Sequence, residues 1–295
     1  MGTGRIIKGV GGVYIVDTGD RHVTCRACGR FRNDGETPLS GDLVEFLPLK
    51  DGRGYMNAIL PRKNYLIRPP IANIDQLIIV CSKAPPETST ITIDRLCALA
   101  TIMDIEVIIC VNKVDLDPAE ELAAIYEKAG IITVRFSAET GEGIDELKAL
   151  LEGKISVLTG NSGVGKSSIL NLLDIGFAAE VGAISKRIGQ GRQTTRHTEL
   201  VRFGTGYVAD TPGFSAFSLV YAEMYEKDNL PFGFIEFLPY LTGCRFNNCS
   251  HTGEQGCVIE RAVAEGHIGA ERYENYKKLV YELKDIKQWE VKKPR

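Results

Sequence analysis

The sequence predicts an α/β protein with a mostly parallel sheet at its centre. A small β-barrel precedes that domain, and a zinc-binding, mainly helical region follows it. Three observations predict this. Residues 1–68 carry short runs of alternating apolar and polar residues cut by turn residues. Residues 69–218 alternate apolar strands with helical stretches, and residues 219–295 lose that rhythm and gather three cysteines and a histidine into one loop.

In the first region the runs GVYIVD, DLVEFLPL and MNAIL are separated by Thr18-Gly19-Asp20, Asn33-Asp34-Gly35, Ser40-Gly41-Asp42 and Asp51-Gly52. Short strands with such punctuation indicate a small barrel. Cys25 and Cys28 read either as a zinc half-site or as two cysteines on opposite strand faces. No second pair lies nearby, which favours the latter.

In the second region QLIIVCS, IEVIICVN, IITVRFSA, ISVLTG, ELVRF and GYVAD are strand candidates. TIDRLCALATIM, PAEELAAIYEKAG and GIDELKALLEG are helix candidates, the second framed by Pro118 and Gly130. In the third, residues 270–290 place Tyr276, Leu279, Val280, Leu283 and Ile286 at helical spacing, as in a helix packed on its own domain.

Composition narrows the function classes. At 295 residues, 44% hydrophobic and 25% charged, the chain is an ordinary globular one. It has no apolar run near the ~20 residues of a membrane helix. The start, MGTGRIIKGVGG, lacks the apolar core of a signal peptide. Eight cysteines in that setting point to reduced thiols or metal ligands in the cytosol, with no membrane association. A net charge of −3 argues against coating nucleic acid by bulk electrostatics. A local basic cluster remains at Lys186, Arg187, Arg192, Arg196 and Arg202, with VKKPR at the end.

Gly160-Asn161-Ser162-Gly163-Val164-Gly165-Lys166-Ser167 fits G-x-x-x-x-G-K-[ST] between a strand and a helix. Backbone N–H groups there surround phosphate oxygens, Lys166 places a charge on the outer phosphates, and Ser167 ligates Mg²⁺. Asn112-Lys113-Val114-Asp115 follows the strand VIIC. A carboxylate at Asp115 accepts the N1–H and 2-amino hydrogens of guanine, whereas adenine leaves it without donors. Ser137-Ala138 ends the next strand, with the Ala138 N–H facing guanine O6. Asp210-Thr211-Pro212-Gly213 ends GYVAD, where Asp210 would hold Mg²⁺ through water and the Gly213 N–H would meet the γ-phosphate. Gly189–Thr195 lies where a switch belongs, with Thr194 or Thr195 reaching Mg²⁺ only beside a triphosphate.

The ordinary order of these parts is phosphate loop, threonine, DxxG, NKxD, Ser-Ala. Here it is NKxD, Ser-Ala, phosphate loop, threonines, DTPG, a circular shift that keeps every loop at one sheet edge. The sequence therefore predicts a circularly permuted P-loop GTPase, with Mg²⁺ as cofactor and GTP and GDP as ligands. The DTPG stretch now leads straight into the third region, which gives nucleotide state a route to a neighbouring domain. In that region Cys244, Cys249, His251 and Cys257 form a Cys₃His set, the donor chemistry of one structural zinc. Three buried cysteines beside a surface histidine are the alternative, and clustering favours zinc.

A barrel, a permuted GTPase and a C-x₄-C-x-H-x₅-C loop together resemble the ribosome small-subunit-dependent GTPase family (RsgA, also YjeQ or YloQ), over nearly the whole chain. The resemblance implies an N-terminal OB-fold at 1–68, a GTPase domain at 69–218 and a zinc domain at 219–295. It also implies GTP hydrolysis stimulated by the small ribosomal subunit, through contact with its rRNA, in late maturation. Family nucleotide contacts carry over to Asn112, Lys113, Asp115 and Gly160 through Ser168, and zinc ligands to Cys244, Cys249, His251 and Cys257. The family usually has histidine before the paired threonines, and this chain has Gln193. Phe214, after D-x-x-G, cannot orient water, so Gln193 reads either as the water-positioning residue or as an exposed loop residue. The competing readings are an RNA-binding module with incidental hydrolysis, and a permuted GTPase serving a protein or metal-delivery partner. A monomer is expected.

Overall fold

The computed structural model describes residues 1–29, 31, 36–66, 69–173, 198–210 and 227–284. Five strands close the expected barrel in the order β1-β2-β3-β5-β4: β1 (Gly2–Val10), β2 (Val13–Asp17), β3 (His22–Ala27), β4 (Leu43–Pro48) and β5 (Gly54–Ile59). Alternation along each strand sends Ile6, Val16, Val23, Cys25, Val44, Phe46 and Met56 inward as one core. Cys25 is fully buried there, and burial pushes its thiol up to about 11. Cys28 sits just beyond β3 and is half-buried, and among the described residues neither cysteine belongs to a group of three or more potential metal ligands.

The strands β6 (Tyr65–Leu66) and β7 (Ile71–Ala72) form a short hairpin that leads into the central sheet. That sheet comprises β8 (Gln76–Cys81), β9 (Glu106–Val111), β10 (Ile132–Arg135), β11 (Ile155–Gly160), β12 (Leu200–Phe203) and β13 (Gly206–Asp210). Its spatial order is β10-β9-β8-β11-β13-β12, with only β12 antiparallel to its neighbour. Counting β11 as first and β8 as fourth turns this order, read backwards, into 2-3-1-4-5-6. That is a doubly wound sheet cut and rejoined, as the motif order requires.

Helices cover both faces. The helices α1 (Thr90–Ile102) and α2 (Glu120–Lys128) close one apolar layer, with Leu96, Leu99, Leu122 and Tyr126 on Leu77, Ile79 and Ile109. The helices α3 (Ile144–Leu151) and α4 (Lys166–Leu173) close the other, with Leu147, Leu151 and Ile169 on Ile78, Ile108 and Leu158. The central strands β8, β9 and β11 are mostly apolar because both faces are buried.

The C-terminal region consists of two 3₁₀ stretches (Lys227–Gly233, Ile235–Tyr240), α5 (Val258–Ala264) and α6 (Ala270–Lys284). The expected helix thus runs to Lys284, and Ile286 lies outside the described residues. Phe234, Phe237, Ile259, Tyr273, Tyr276 and Leu279 form its own core, which includes Ala98 of α1. Arg272, buried to 1% exposure, fixes this core to the sheet domain. Its guanidinium pairs with Asp94 of α1 and with Glu236, and lies 5.0 Å from the Phe234 ring centroid and 5.5 Å from that of Tyr126. Asn275 donates to the second Asp94 oxygen at 2.7 Å, so the carboxylate is satisfied on both sides.

Candidate functional site: a guanine-nucleotide edge and a metal loop

Because β8, β9, β10, β11 and β13 run parallel, their C-terminal ends share one edge of the sheet. The residues after β9, β10, β11 and β8 therefore converge although they are scattered over 80 positions of sequence, from Cys81 to Gly160. The phosphate loop leaves β11 at Gly160 and enters α4 at Lys166. Gly165 has a left-handed φ of 102°, and a Cβ there would stand 2.1 Å from Asn112 Nδ2, so only glycine fits. Lys166 Nζ donates to the carbonyls of Gly160 at 2.7 Å and Asn161 at 2.9 Å. Ser162, Gly163, Ser167 and Ser168 are exposed at the mouth, while Val164 is buried beneath.

Asn112 is buried to 2% exposure, and its side chain ties the loops to one another. Nδ2 donates to Val164 O at 2.7 Å, and Oδ1 accepts the Ala138 N–H at 2.9 Å. The N–H expected to face guanine O6 is therefore bonded to Asn112. Ser137 is fully buried, and its hydroxyl donates to Asp115 Oδ1 at 2.5 Å. Asp115 itself is exposed, so Ser137 aims a carboxylate that stands open to solvent.

Lys113, at a left-handed φ of 68°, sends Nζ to the Pro85 carbonyl at 2.7 Å. A Cβ on Gly163 would stand 3.3 Å from Pro86. The loop 82–88 is thus part of the site, and the motifs do not include it. Its position after the buried strand QLIIVC, at the ligand-binding edge, is the signal that identifies it.

Asp210 ends β13, and its backbone pairs in register with Leu158, two residues before Gly160. Thr211, Pro212, Gly213 and Phe214 lie outside the described residues, as do Gln193, Thr194, Thr195, Lys186, Arg187, Arg192 and Arg196. Arg202, expected in the same basic cluster, instead turns to the barrel. It donates to Gly19 O at 2.8 Å and lies 3.9 Å from Asp17.

The metal loop is a second, separate constellation. The ligand atoms of Cys244, Cys249, His251 and Cys257 all lie within 4.8 Å of one another. His251 Nδ1 is 3.5 Å from both the Cys244 and Cys257 sulfurs. Tetrahedral zinc with ordinary Zn–S and Zn–N bonds requires an S···N edge of about 3.6 Å, so the donors present fit such an ion. A left-handed φ of 57° at His251 folds the loop tightly enough to do this. Glu254 pins the turn by accepting from the N–H groups of Ser250 at 2.7 Å and Thr252 at 2.8 Å. Burial pushes its carboxyl up, but the Ser250 and Thr252 donors outweigh burial and hold it down to about 2. Tyr276 of α6 donates its hydroxyl to Ser250 O at 2.8 Å, anchoring the loop to the C-terminal core.

Comparison with known proteins follows the same division. The RsgA GTPase family profile matches residues 59–220, and the RsgA N-terminal domain profile matches residues 3–56. The chain is 44% identical over 287 residues to the small ribosomal subunit biogenesis GTPase RsgA of Caldanaerobacter subterraneus subsp. tengcongensis, covering 96% of each chain. It is 40% identical to the protein of that name from Agathobacter rectalis, covering 97% of this chain and all of that one. Among solved structures, YjeQ from Thermotoga maritima superposes with a TM-score of 0.83 at 36% identity, covering 97% of this chain and 99% of that one. YloQ, described as a circularly permuted GTPase, superposes with a TM-score of 0.80 at 34% identity, covering 100% and 97%.

Proposed function

The chain belongs to the RsgA GTPase family, and from that premise we propose that it hydrolyses GTP on the small ribosomal subunit during that subunit's late maturation. It is a GTP-hydrolysing P-loop enzyme of small-subunit biogenesis. The observation that carries the reading is the convergence of Asp115, Ala138 and the 160–167 loop on one sheet edge, joined through Asn112.

In this reading Asp115, aimed by Ser137, takes the guanine edge. Lys166 exchanges the Gly160 and Asn161 carbonyls for the outer phosphate oxygens. Ser167 and, through water, Asp210 hold Mg²⁺, which neutralises phosphate charge when bound. Thr194 or Thr195 and the Gly213 N–H sense the γ-phosphate, and Gln193 orients the attacking water. The Cys₃His set holds one structural Zn²⁺. Arg192 and Arg196, beside Gln193, meet ribosomal RNA on docking. The protein acts as a monomer in the cytoplasm. Among the described residues no helix is long and apolar enough to cross a membrane.

GTP turnover measured with and without purified small subunits tests this. The expected result is a slow basal rate raised at least ~100-fold by the subunit, a lower bound beneath the ~10³–10⁵ that a supplied arginine gives other GTPases. An equal rate in both arms, with GTP-dependent subunit binding retained, leaves an RNA-binding module in which hydrolysis is incidental.

A further inference from the structure

We propose that Lys8, Asp17 and Ser40, all N-terminal to the GTPase motifs, are positioning residues for GTP hydrolysis, acting through the β12–β13 hairpin. This rests on the reading of Thr194, Thr195 and Asp210 given above. The hairpin is the short piece of sheet that separates those two phosphate-sensing stretches. Its turn is fixed at the far end, where the Glu152 carboxylate accepts from the Thr205 N–H at 2.9 Å and from its hydroxyl at 2.7 Å. Its open end is held by the barrel and the segment before β4. The Ser40 hydroxyl donates to the buried Thr198 carbonyl at 2.6 Å, and Lys8 Nζ pairs with Glu199 at 2.6 Å. Nearer the turn, Tyr207 donates its hydroxyl to Asp17 Oδ2 at 2.9 Å, and Arg202, its cross-strand neighbour, reaches the same oxygen at 3.9 Å. The other Asp17 oxygen accepts the Gly19 N–H at 2.8 Å, and the carboxylate is 2% exposed, so it is committed to this contact. The Arg5 guanidinium lies over the Tyr207 ring at 5.8 Å.

Distance along the chain makes these contacts consequential. Thr198 is three residues after Thr195, and Tyr207 is three residues before Asp210. Three residues span at most about 11 Å however they run, so both stretches start within that reach of a barrel-held anchor. The loops assigned to guanine and the inner phosphates leave β9, β10 and β11 instead. Displacing the anchors therefore alters how the γ-phosphate end is arranged and leaves GDP recognition in place. A partner that grips the barrel acts on hydrolysis through the same contacts.

The test compares wild type, Lys8→Glu, Glu199→Lys and the double swap, with Ser40→Ala as a mild variant that removes one hydroxyl. Each charge reversal is expected to lower kcat at saturating subunit about tenfold, as a change of that size in the barrier produces. GDP affinity, by calorimetry, and half-saturating subunit concentration stay within about twofold, since neither set of contacts is touched. The double swap restores kcat, and Ser40→Ala lowers it in the same direction by a smaller factor. Unchanged kcat in the single variants, or a shift confined to subunit affinity or melting temperature, overturns the proposal, as does a loss that the swap leaves unrepaired. If wild type shows no stimulation, the ribosomal reading fails on its own. The positioning claim is then judged on basal turnover, where the same fall and rescue are expected.

Discussion

Asp115→Asn lowers GTP affinity by at least ~100-fold and shifts relative preference toward XTP, because two charge-assisted hydrogen bonds of about 1.5–3 kcal/mol each depend on that carboxylate. The geometry favours a clean effect. The Ser137 hydroxyl holds Oδ1 at 2.5 Å, which fixes the direction of the group, and Asp115 is otherwise exposed. In the variant, the amide oxygen keeps the Ser137 bond and the NH₂ group points outward. That donor opposes the 2-amino group of guanine and suits the 2-carbonyl of xanthine. The substitution sits on an exposed loop, so fold stability is little changed. Calorimetry with GTP, GDP and XTP reads the result, and GTP binding equal to wild type removes Asp115 as the base reader.

Stripping the metal from the Cys₃His set unravels the loop at 244–257 and leaves nucleotide binding within about twofold, although the ion contributes on the order of 10 kcal/mol to its own site. The asymmetry follows from what each part rests on. The loop is held by the four ligands, the Glu254 turn and the Tyr276 anchor, with Cys257 at the margin of the aromatic core. The rest of the region keeps its aromatic core and the buried Arg272–Asp94–Glu236 network on α1. Burial pushes the Cys249 thiol up to about 12 and raises Cys257 as well. Binding must therefore displace protons, and affinity falls as pH falls. Elemental analysis gives one zinc per chain, and hydrogen exchange after chelation shows loss of protection confined to this loop. Freshly purified protein without stoichiometric metal contradicts the assignment.

The convergence of the 112–115, 137–138 and 160–167 loops on one edge was legible in the sequence because each follows a strand of the parallel sheet and carries the residue type that the proposed chemistry demands: glycine for a backbone that meets phosphate, aspartate for a guanine that donates. The permuted order was legible too, since parallel strands place their C-terminal loops together whatever the connection. Contacts between distant segments were not. Arg272 lies 178 residues from Asp94 and 36 from Glu236, and within its helix it reads as one more surface cation. Arg202 likewise reads as part of a basic patch and is drawn to Asp17 instead. Asn112 carries a motif signature, but its side chain braces three loops, a role that appears only once Val164 and Ala138 are beside it.

The central claim is that loops in permuted order form one guanine-nucleotide site. A structure of the chain with Mg²⁺ and a non-hydrolysable GTP analogue tests it most directly. The account predicts both Asp115 oxygens, or Oδ2 with a shared Oδ1, within about 3.2 Å of guanine N1 and the 2-amino nitrogen. In the same molecule Lys166 has left the Gly160 and Asn161 carbonyls for phosphate oxygens, and Ser167 ligates the ion. Phosphates on residues 160–167 with the base directed away from 112–115 would contradict it.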